Sequence, residues 1–195
     1  MKSLNGTKTA DNLAKAFAGE SQARNRYTYY GRTADKERYK KIAAVFFEVA
    51  DNERAHAKVF FDLLIQGLGK AHINVNAQYP IGYGNTEQNL QYAAEGEKEE
   101  WGTLYPQFAD QAKEEGFPEV ETAFREIIKI ETSHEKIYLN LLNNLKNGTL
   151  YKRDTKQRWR CRNCGYIFEG TEAPLVCPAC KHPQGYFEIM DNVEL

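Results

Sequence analysis

No stretch of this chain approaches the roughly 18 consecutive apolar residues that a membrane span requires. The segment Met1 to Ala10 carries Lys2 and Lys8 but lacks the apolar run of a secretory leader. Excess charge of either sign is also missing. With 27 acidic against 26 basic side chains, bulk attraction to nucleic acid is excluded as a working principle. Cysteine is absent before Cys161, and all four cysteines fall in two C-x-x-C pairs within the last 35 residues. That clustering suits metal ligation rather than a disulfide framework, because a reducing cytosol keeps thiols free. Together these absences predict a cytoplasmic protein of ordinary composition, 42% hydrophobic over 195 residues.

The chain is expected to divide near residue 150. Residues 1–150 hold long amphipathic segments, whereas residues 151–195 crowd Gly165, Gly170, Pro174, Pro178, Pro183 and Gly185 around the cysteines. A segment of 45 residues is too short to bury a self-sufficient core, so the second domain is expected to need its metal to fold.

Four apolar stripes of helical period run through the first domain. The first passes through Leu13, Ala16, Phe17, Ala23, Tyr27 and Tyr30, and the second through Ile42, Val45, Phe46, Val49, Phe60 and Leu64. The third takes in Leu90, Ala94, Trp101, Leu104 and Phe108 as one continuous helix, and the fourth Val120, Phe124, Ile127, Ile128, Ile137, Leu141 and Leu145. Gly116-Phe117-Pro118 separates the last two, and residues 67–86 are long enough for a crossover between two helical pairs.

Acids sit on these stripes. Glu53 follows Ile42, and Glu131 follows Val120, by eleven residues, about three helical turns, so both point where the apolar side chains point. Glu20 lies between Phe17 and Ala23, and Glu97 and Glu100 lie between Ala94 and Leu104. Glu95 and Glu99 fall off the stripe and are expected in solvent. Five inward glutamates without an inward Lys or Arg stripe need another source of positive charge, since an unpaired buried carboxylate costs several kcal/mol or neutralises itself. A spacing repeat points the same way: Glu20 and Glu53 are 33 residues apart, Glu97 and Glu131 are 34 apart, and each second glutamate is followed three residues later by a histidine. A single E-x-x-H on a helix is a weak signal, more often a surface pair or a satisfied core histidine than a ligand pair. Two of them, His56 and His134, phased with Glu20 and Glu97, describe a dinuclear site in a helical bundle, and hard oxygens plus two imidazoles suit iron or manganese.

The second site is Cys161-Arg-Asn-Cys164-Gly165-Tyr166, then twelve residues after Cys164, then Cys177-Pro178-Ala179-Cys180. Each C-x-x-C lets two sulfurs grip one ion, with neighbouring Gly and Pro permitting tight turns that aim backbone N–H groups at sulfur. Zinc and iron share this pattern.

Taken over nearly all 195 residues, the order of ligands followed by W-R-C-R-N-C-G-Y and C-P-A-C-x-H-P resembles the rubrerythrin family. The resemblance implies a mainly α protein, a ferritin-like four-helix bundle (1–150) followed by a small metal-stabilised rubredoxin-like β domain (151–195). It implies two non-haem irons and a third iron on Cys161, Cys164, Cys177 and Cys180. By the same resemblance Glu53 and Glu131 bridge the pair, Glu97 and His134 bind one iron, and Glu20 the other, with Glu100 and His56 alternating on the Glu20 side as the site is oxidised and reduced. Formal charge gives this exchange a reason, since two ferrous ions carry two fewer positive charges than two ferric ones and neutral His56 replaces one carboxylate. Tyr27 and Tyr105, each about two turns from a ligand on its own helix, match tyrosines that hydrogen-bond the carboxylates in the family.

The implied activity is reduction of hydrogen peroxide to water, protecting against oxidative stress. The implied donor is a small rubredoxin or an NAD(P)H-dependent reductase. Two centres held at different parts of a long bundle also suit the family's head-to-tail homodimer, or a higher homo-oligomer, in which a neighbour's cysteine domain closes the gap. The same ligands would serve a ferroxidase or iron-handling protein of the ferritin class, although Glu100 and the cysteine domain argue against simple storage. A zinc ribbon on a binding scaffold leaves five inward glutamates unexplained. The basic run from Lys152 to Arg162, with Trp159 among it, is short and fits a docking surface for an acidic donor, or an interface with the neighbouring subunit, better than nucleic acid. His72 and His182 are expected at the surface.

Overall fold

The computed structural model describes residues 2–190. Met1 and residues 191–195, the outer ends of the two expected domains, lie outside the described residues. Four long helical segments make up the first part: α1 (Lys8–Lys36), α2 (Lys40–Leu68), a third segment of α3 (Thr86–Glu99) and α4 (Tyr105–Glu114), and α5 (Pro118–Lys146). Local chemistry sets their ends. Thr7 caps α1 by accepting from the Ala10 amide, and Asn85 and Gln88 form a reciprocal capping box on α3. Gly69, with φ of 66°, closes α2, and Pro118 occupies the first residue of α5, where no amide is needed. α1 packs along α2, and α3 and α4 pack along α5, with the crossover of residues 69–85 joining the two pairs.

The third helix is not continuous. Glu100–Leu104 forms a π-helical turn between α3 and α4, equivalent to one inserted residue. Pro106, which has no amide to donate, sits just beyond it, and Gly102 lies within it. In an unbroken α-helix, eight residues would leave Tyr105 about 80° from Glu97; with one residue absorbed by the wide turn the offset falls to about 20°. The expected inward positions Leu104 and Phe108 are therefore only half-buried, and Tyr105, Ala109 and Ala112 point into the core instead. In α5 a similar shift separates Ile137, 39% exposed, from Tyr138, which is fully buried.

The bundle contains two apolar clusters. One gathers Tyr27, Tyr30, Ile42, Phe46, Val49, Leu90, Tyr138 and Leu142, and the other Leu13, Phe60, Tyr105, Ala109, Val120 and Phe124. The acids lie between them. No helix among the described residues is long and apolar enough to cross a membrane.

The C-terminal part is a three-stranded antiparallel sheet in the order β2-β1-β3, from β1 (Lys152–Cys161), β2 (Ile167–Glu172) and β3 (Phe187–Ile189). Its core is small: Trp159, Cys161, Ala173, Cys177 and Phe187. Trp159 donates its indole N–H to the Gly170 carbonyl at 2.9 Å. The sheet docks on the α1–α2 hairpin, where Gly185 comes so close to the Arg38 carbonyl that an added Cβ would lie 1.9 Å from it. Glu188 receives Arg160, Arg162 and, at 3.6 Å, Lys41 of α2.

Candidate metal centres

The inward acids converge as the spacing predicts. Glu20 from α1, Glu53 and His56 from α2, and Glu131 from α5 place donor atoms within 4.8 Å of one another, and so do Glu53, Glu97 from α3, Glu131 and His134. All of these side chains are buried. Glu53 and Glu131 belong to both sets, and their two oxygens face opposite ways. Glu53 Oε2 lies 2.9 Å from His56 Nδ1 and Glu53 Oε1 3.2 Å from His134 Nδ1. Glu131 Oε1 lies 2.9 Å from His56 Nδ1 and Glu131 Oε2 2.8 Å from His134 Nδ1. The imidazole rings stack 6.0 Å apart.

Two phenols hold the flanking acids. Tyr105 donates its hydroxyl to Glu20 Oε1 and Tyr27 donates to Glu97 Oε1, each at 2.5 Å. The opposite oxygens, Glu20 Oε2 and Glu97 Oε2, have no hydrogen-bond partner, nor do Glu53 Oε1, both oxygens of Glu131 or His134 Nδ1. Buried polar atoms are normally satisfied, so six orphaned donors and acceptors turned to one space between helices fit a pair of cations.

Protonation tells the same story. Burial pushes the carboxyls of Glu20, Glu97 and Glu100 well up, reinforced by neighbouring carboxylates. Burial works to lower His56 and His134, but the Glu131 and Glu53 carboxylates lying against them outweigh it and raise them to about 9 and about 12. Burial would raise Glu131, yet the two histidines bring it down to about 2. Without metal, protons do the neutralising.

Glu100 stands apart from both four-residue sets. Turned by the wide helical turn, it lines a cavity of about 420 Å³ with Gly19, Tyr79, Tyr105 and Phe108. The structure therefore gathers His56, not Glu100, on the Glu20 side. Glu95 and Glu99 are exposed, as the stripe predicts, and so is His72. His182 is not a free surface residue: it is half-buried, its ring 4.4 Å from that of Tyr186 and its Nδ1 3.2 Å from the Cys180 carbonyl. Asn52, whose Nδ2 lies 3.3 Å from His134 Nε2, carried no signal in the sequence beyond preceding Glu53. Trp101, expected in the core, is half-buried and donates to Glu135 Oε2 at 2.9 Å.

All four cysteine sulfurs lie within 4.8 Å of one another, with Cys161–Cys180 and Cys164–Cys177 sulfurs each 3.7 Å apart. Sulfurs about 2.3 Å from a tetrahedral ion stand about 3.8 Å apart, so the cage already has the size of a four-thiolate metal site. The backbone amide of His182 bonds to Cys180 and lowers its thiol to about 6. Amides of Tyr166, and of Cys164 and Asn163, also reach Cys164 and Cys161, but burial still holds the Cys161 thiol up and the neighbouring sulfurs take Cys164 to about 12.

The rubrerythrin family model matches residues 11–142, and the model of the rubrerythrin rubredoxin-like domain matches residues 159–188. The chain is 56% identical to rubrerythrin-1 of Clostridium acetobutylicum over 98% of its length and 99% of the relative's. It is 46% identical to rubrerythrin of Nitratidesulfovibrio vulgaris, covering 97% and 98% of the two chains. Among solved structures, fully reduced, all-ferrous nigerythrin superposes with a TM-score of 0.64 at 28% identity, over 97% of this chain and 92% of that one. Desulfovibrio desulfuricans bacterioferritin, with its diiron site, superposes with a TM-score of 0.65 at 25% identity over 73% and 82% of the two chains. With its diiron ferritin-like bundle and its four-cysteine rubredoxin-like site, this chain belongs to the rubrerythrin family of oxidoreductases.

Proposed function

We propose that the protein reduces hydrogen peroxide to water at the paired-histidine site, with electrons relayed from the four-cysteine iron and drawn from NAD(P)H through a reductase or small rubredoxin in the cytoplasm. One observation carries this reading: Glu53 and Glu131 each divide their two oxygens between the His56 and His134 sides. Two metal ions held side by side by those shared carboxylates would between them supply the two electrons that reduction of an O–O bond takes.

In this reading Glu20, Glu53, His56 and Glu131 hold one iron, and Glu53, Glu97, Glu131 and His134 the other. Cys161, Cys164, Cys177 and Cys180 hold the third, and residue 150 divides the two domains. If bound there, the iron pair would supply the two electrons that break the peroxide bond, and the cysteine iron would be their source of replacement. Tyr27 and Tyr105 fix the rotamers of Glu97 and Glu20, so neither carboxylate must be ordered when metal or peroxide arrives. Gly19 keeps space open beside Glu100: a Cβ there would stand 3.9 Å from Glu100 Oε1 and 3.6 Å from the Tyr79 ring. That space lets Glu100 swing toward the site in exchange for His56, and lets a small neutral peroxide approach.

Electron delivery supports a head-to-tail homodimer. The sheet is pinned at Lys41, and Glu53 lies twelve residues further along α2, about 18 Å by helical rise. In such a dimer a neighbouring subunit's cysteine site would supply a route shorter than this span.

The test is to reduce the iron-loaded protein anaerobically, add one equivalent of hydrogen peroxide, and follow the ferric-thiolate colour by stopped flow, with air as comparison. Fast return with peroxide and slow return with air is the expected result. Return that is as fast with air would replace the peroxidase with a ferroxidase.

A further inference from the structure

The two imidazoles meet the carboxylates in the same way but differ on their outer edges. Nδ1 of each faces Glu53 and Glu131, at 2.8 to 3.2 Å. Behind the ring of His134, Nε2 lies 3.3 Å from the side-chain amide of Asn52. Behind His56, no group among the described residues bonds to Nε2; its polar contacts are all made by Nδ1.

Asn52 uses its amide differently from other helical asparagines of the bundle. Asn25 and Asn144 turn theirs back onto the carbonyls of Ser21 and Asn140, four residues earlier on their own helices. Asn52, in the middle of α2, reaches across to α5 instead. Asparagine is a poor helix former, and a polar amide adds little to an apolar face, so neither helix formation nor packing calls for it there. It is half-buried, on the wall of a cleft of about 460 Å³ shared with His134, Asn140, Asn144, Phe187 and Glu188. That space lets the amide turn either end toward the ring.

Ligation asks for such a partner. A neutral imidazole that gives its Nδ1 lone pair to a cation carries its one N–H at Nε2. In metal sites that N–H normally meets an oxygen, which fixes the rotation of the ring as well as its tautomer. With Nδ2 toward the ring, Asn52 donates to a bare Nε2; turned half over, it offers Oδ1 and accepts from Nε2–H. A neutral amide orients the ring without drawing its proton away, whereas a carboxylate in the same place would make the ring a stronger donor to metal.

We propose that Asn52 is the positioning residue of His134, its Oδ1 accepting the Nε2–H of the ligating ring and so fixing this imidazole on its metal. The inference rests on the two-iron reading of the site and not on which oxidant the site reduces. His56 is left without a tether, which suits the ring that exchanges with Glu100.

The test uses the full chain with its cysteine iron in place, loaded anaerobically in the bundle with isotopically enriched ferrous iron. Asn52→Leu keeps the approximate volume and removes the amide; Asn52→Asp keeps an acceptor. Titration against a competing chelator should show one of the two bundle equivalents weakened by about 10- to 100-fold in Asn52→Leu. The Mössbauer doublet of the His134-side iron should change and that of the His56-side iron should not. Asn52→Asp should restore the affinity and lower the reduction potential of the bundle iron below that of the unaltered protein, because an anionic acceptor favours the ferric state. Two tight equivalents in Asn52→Leu, equal weakening of both, or a potential that Asn52→Asp leaves in place would overturn the proposal. If Asn52→Leu does not fold, the potential of Asn52→Asp decides alone. Failure of the unaltered protein to hold two ferrous equivalents in its bundle would instead remove the two-iron reading, and the tether with it.

Discussion

Replacing Tyr105 with phenylalanine isolates one hydrogen bond. The ring is fully buried against Phe60, Phe108 and Phe124, and a phenylalanine fills the same space, so packing is preserved. What is lost is the hydroxyl's bond to Glu20 Oε1, leaving both oxygens of a fully buried carboxyl without a protein partner. A hydrogen bond to a charged group is worth about 1.5–3 kcal/mol, or roughly 10- to 150-fold in an equilibrium constant. Metal on the Glu20 side should weaken by that factor. The His134 side, whose Glu97 is held by Tyr27, should keep its affinity. Anaerobic ferrous titration against a competing chelator should therefore change from two tight equivalents in the bundle to one tight and one weak. Tyr27→Phe should produce the converse pattern at the other position, distinguishable by Mössbauer spectra of sequentially loaded iron. Equal weakening of both equivalents by either substitution, or none, would refute the assignment of one phenol to each metal.

In metal-free protein, His56 and His134 sit at about 9 and about 12, above their ordinary 6.5, so the stability they contribute is complete below pH 6.5 and lost as pH rises through those values. The raised carboxyls of Glu20, Glu97 and Glu100 act in the same direction, whereas Glu131, at about 2, contributes above pH 4.5 and fails only as pH falls through 2. The melting temperature of the apo-protein should thus fall between pH 6.5 and 9, while that of the iron-loaded protein stays flatter; parallel curves would contradict this. Gly185→Ala sets a Cβ 1.9 Å from the Arg38 carbonyl and should cost about 1–3 kcal/mol of docking between sheet and helices, seen as an earlier, separate calorimetric transition with the thiolate absorption unchanged. Removing the cysteine-bound metal takes two ligands out of a five-residue core, so Trp159 should become water-exposed, with red-shifted fluorescence reversed by adding metal back. An unshifted emission would mean that the sheet folds without it.

The bundle and both ligand sets were legible because their signals are local. Glu53-x-x-His56 and Glu131-x-x-His134 fix their own faces by helical period, and two C-x-x-C pairs announce their cage. The misplacements share a cause: where two adjacent residues are both apolar, as at Leu104/Tyr105 and Ile137/Tyr138, a one-residue change of phase leaves the pattern equally good. An inserted residue at Glu100–Leu104 has no composition signature beyond Gly102 and Pro106. Contacts between distant segments were invisible for a different reason. Glu188 meets Arg160 only because β3 pairs with β1, and Lys41 only because the sheet lies on α2. His182 likewise gains its partner, Tyr186, from a turn whose shape the cysteines impose.

The acids lie between two separate apolar clusters, and this layering has a consequence for how the helices breathe. Isolated helices fray from their ends, yet here the weakest stretch of each long helix, when metal is absent, is its middle, where polar groups are buried and several of their atoms go unbonded. Amide hydrogen exchange in the apo-protein should be fastest around Glu20, Glu53, Glu97 and Glu131 and slowest in the turns above and below them. Iron binding would then reverse the order of protection along a single helix, making two semi-independent cooperative units into one.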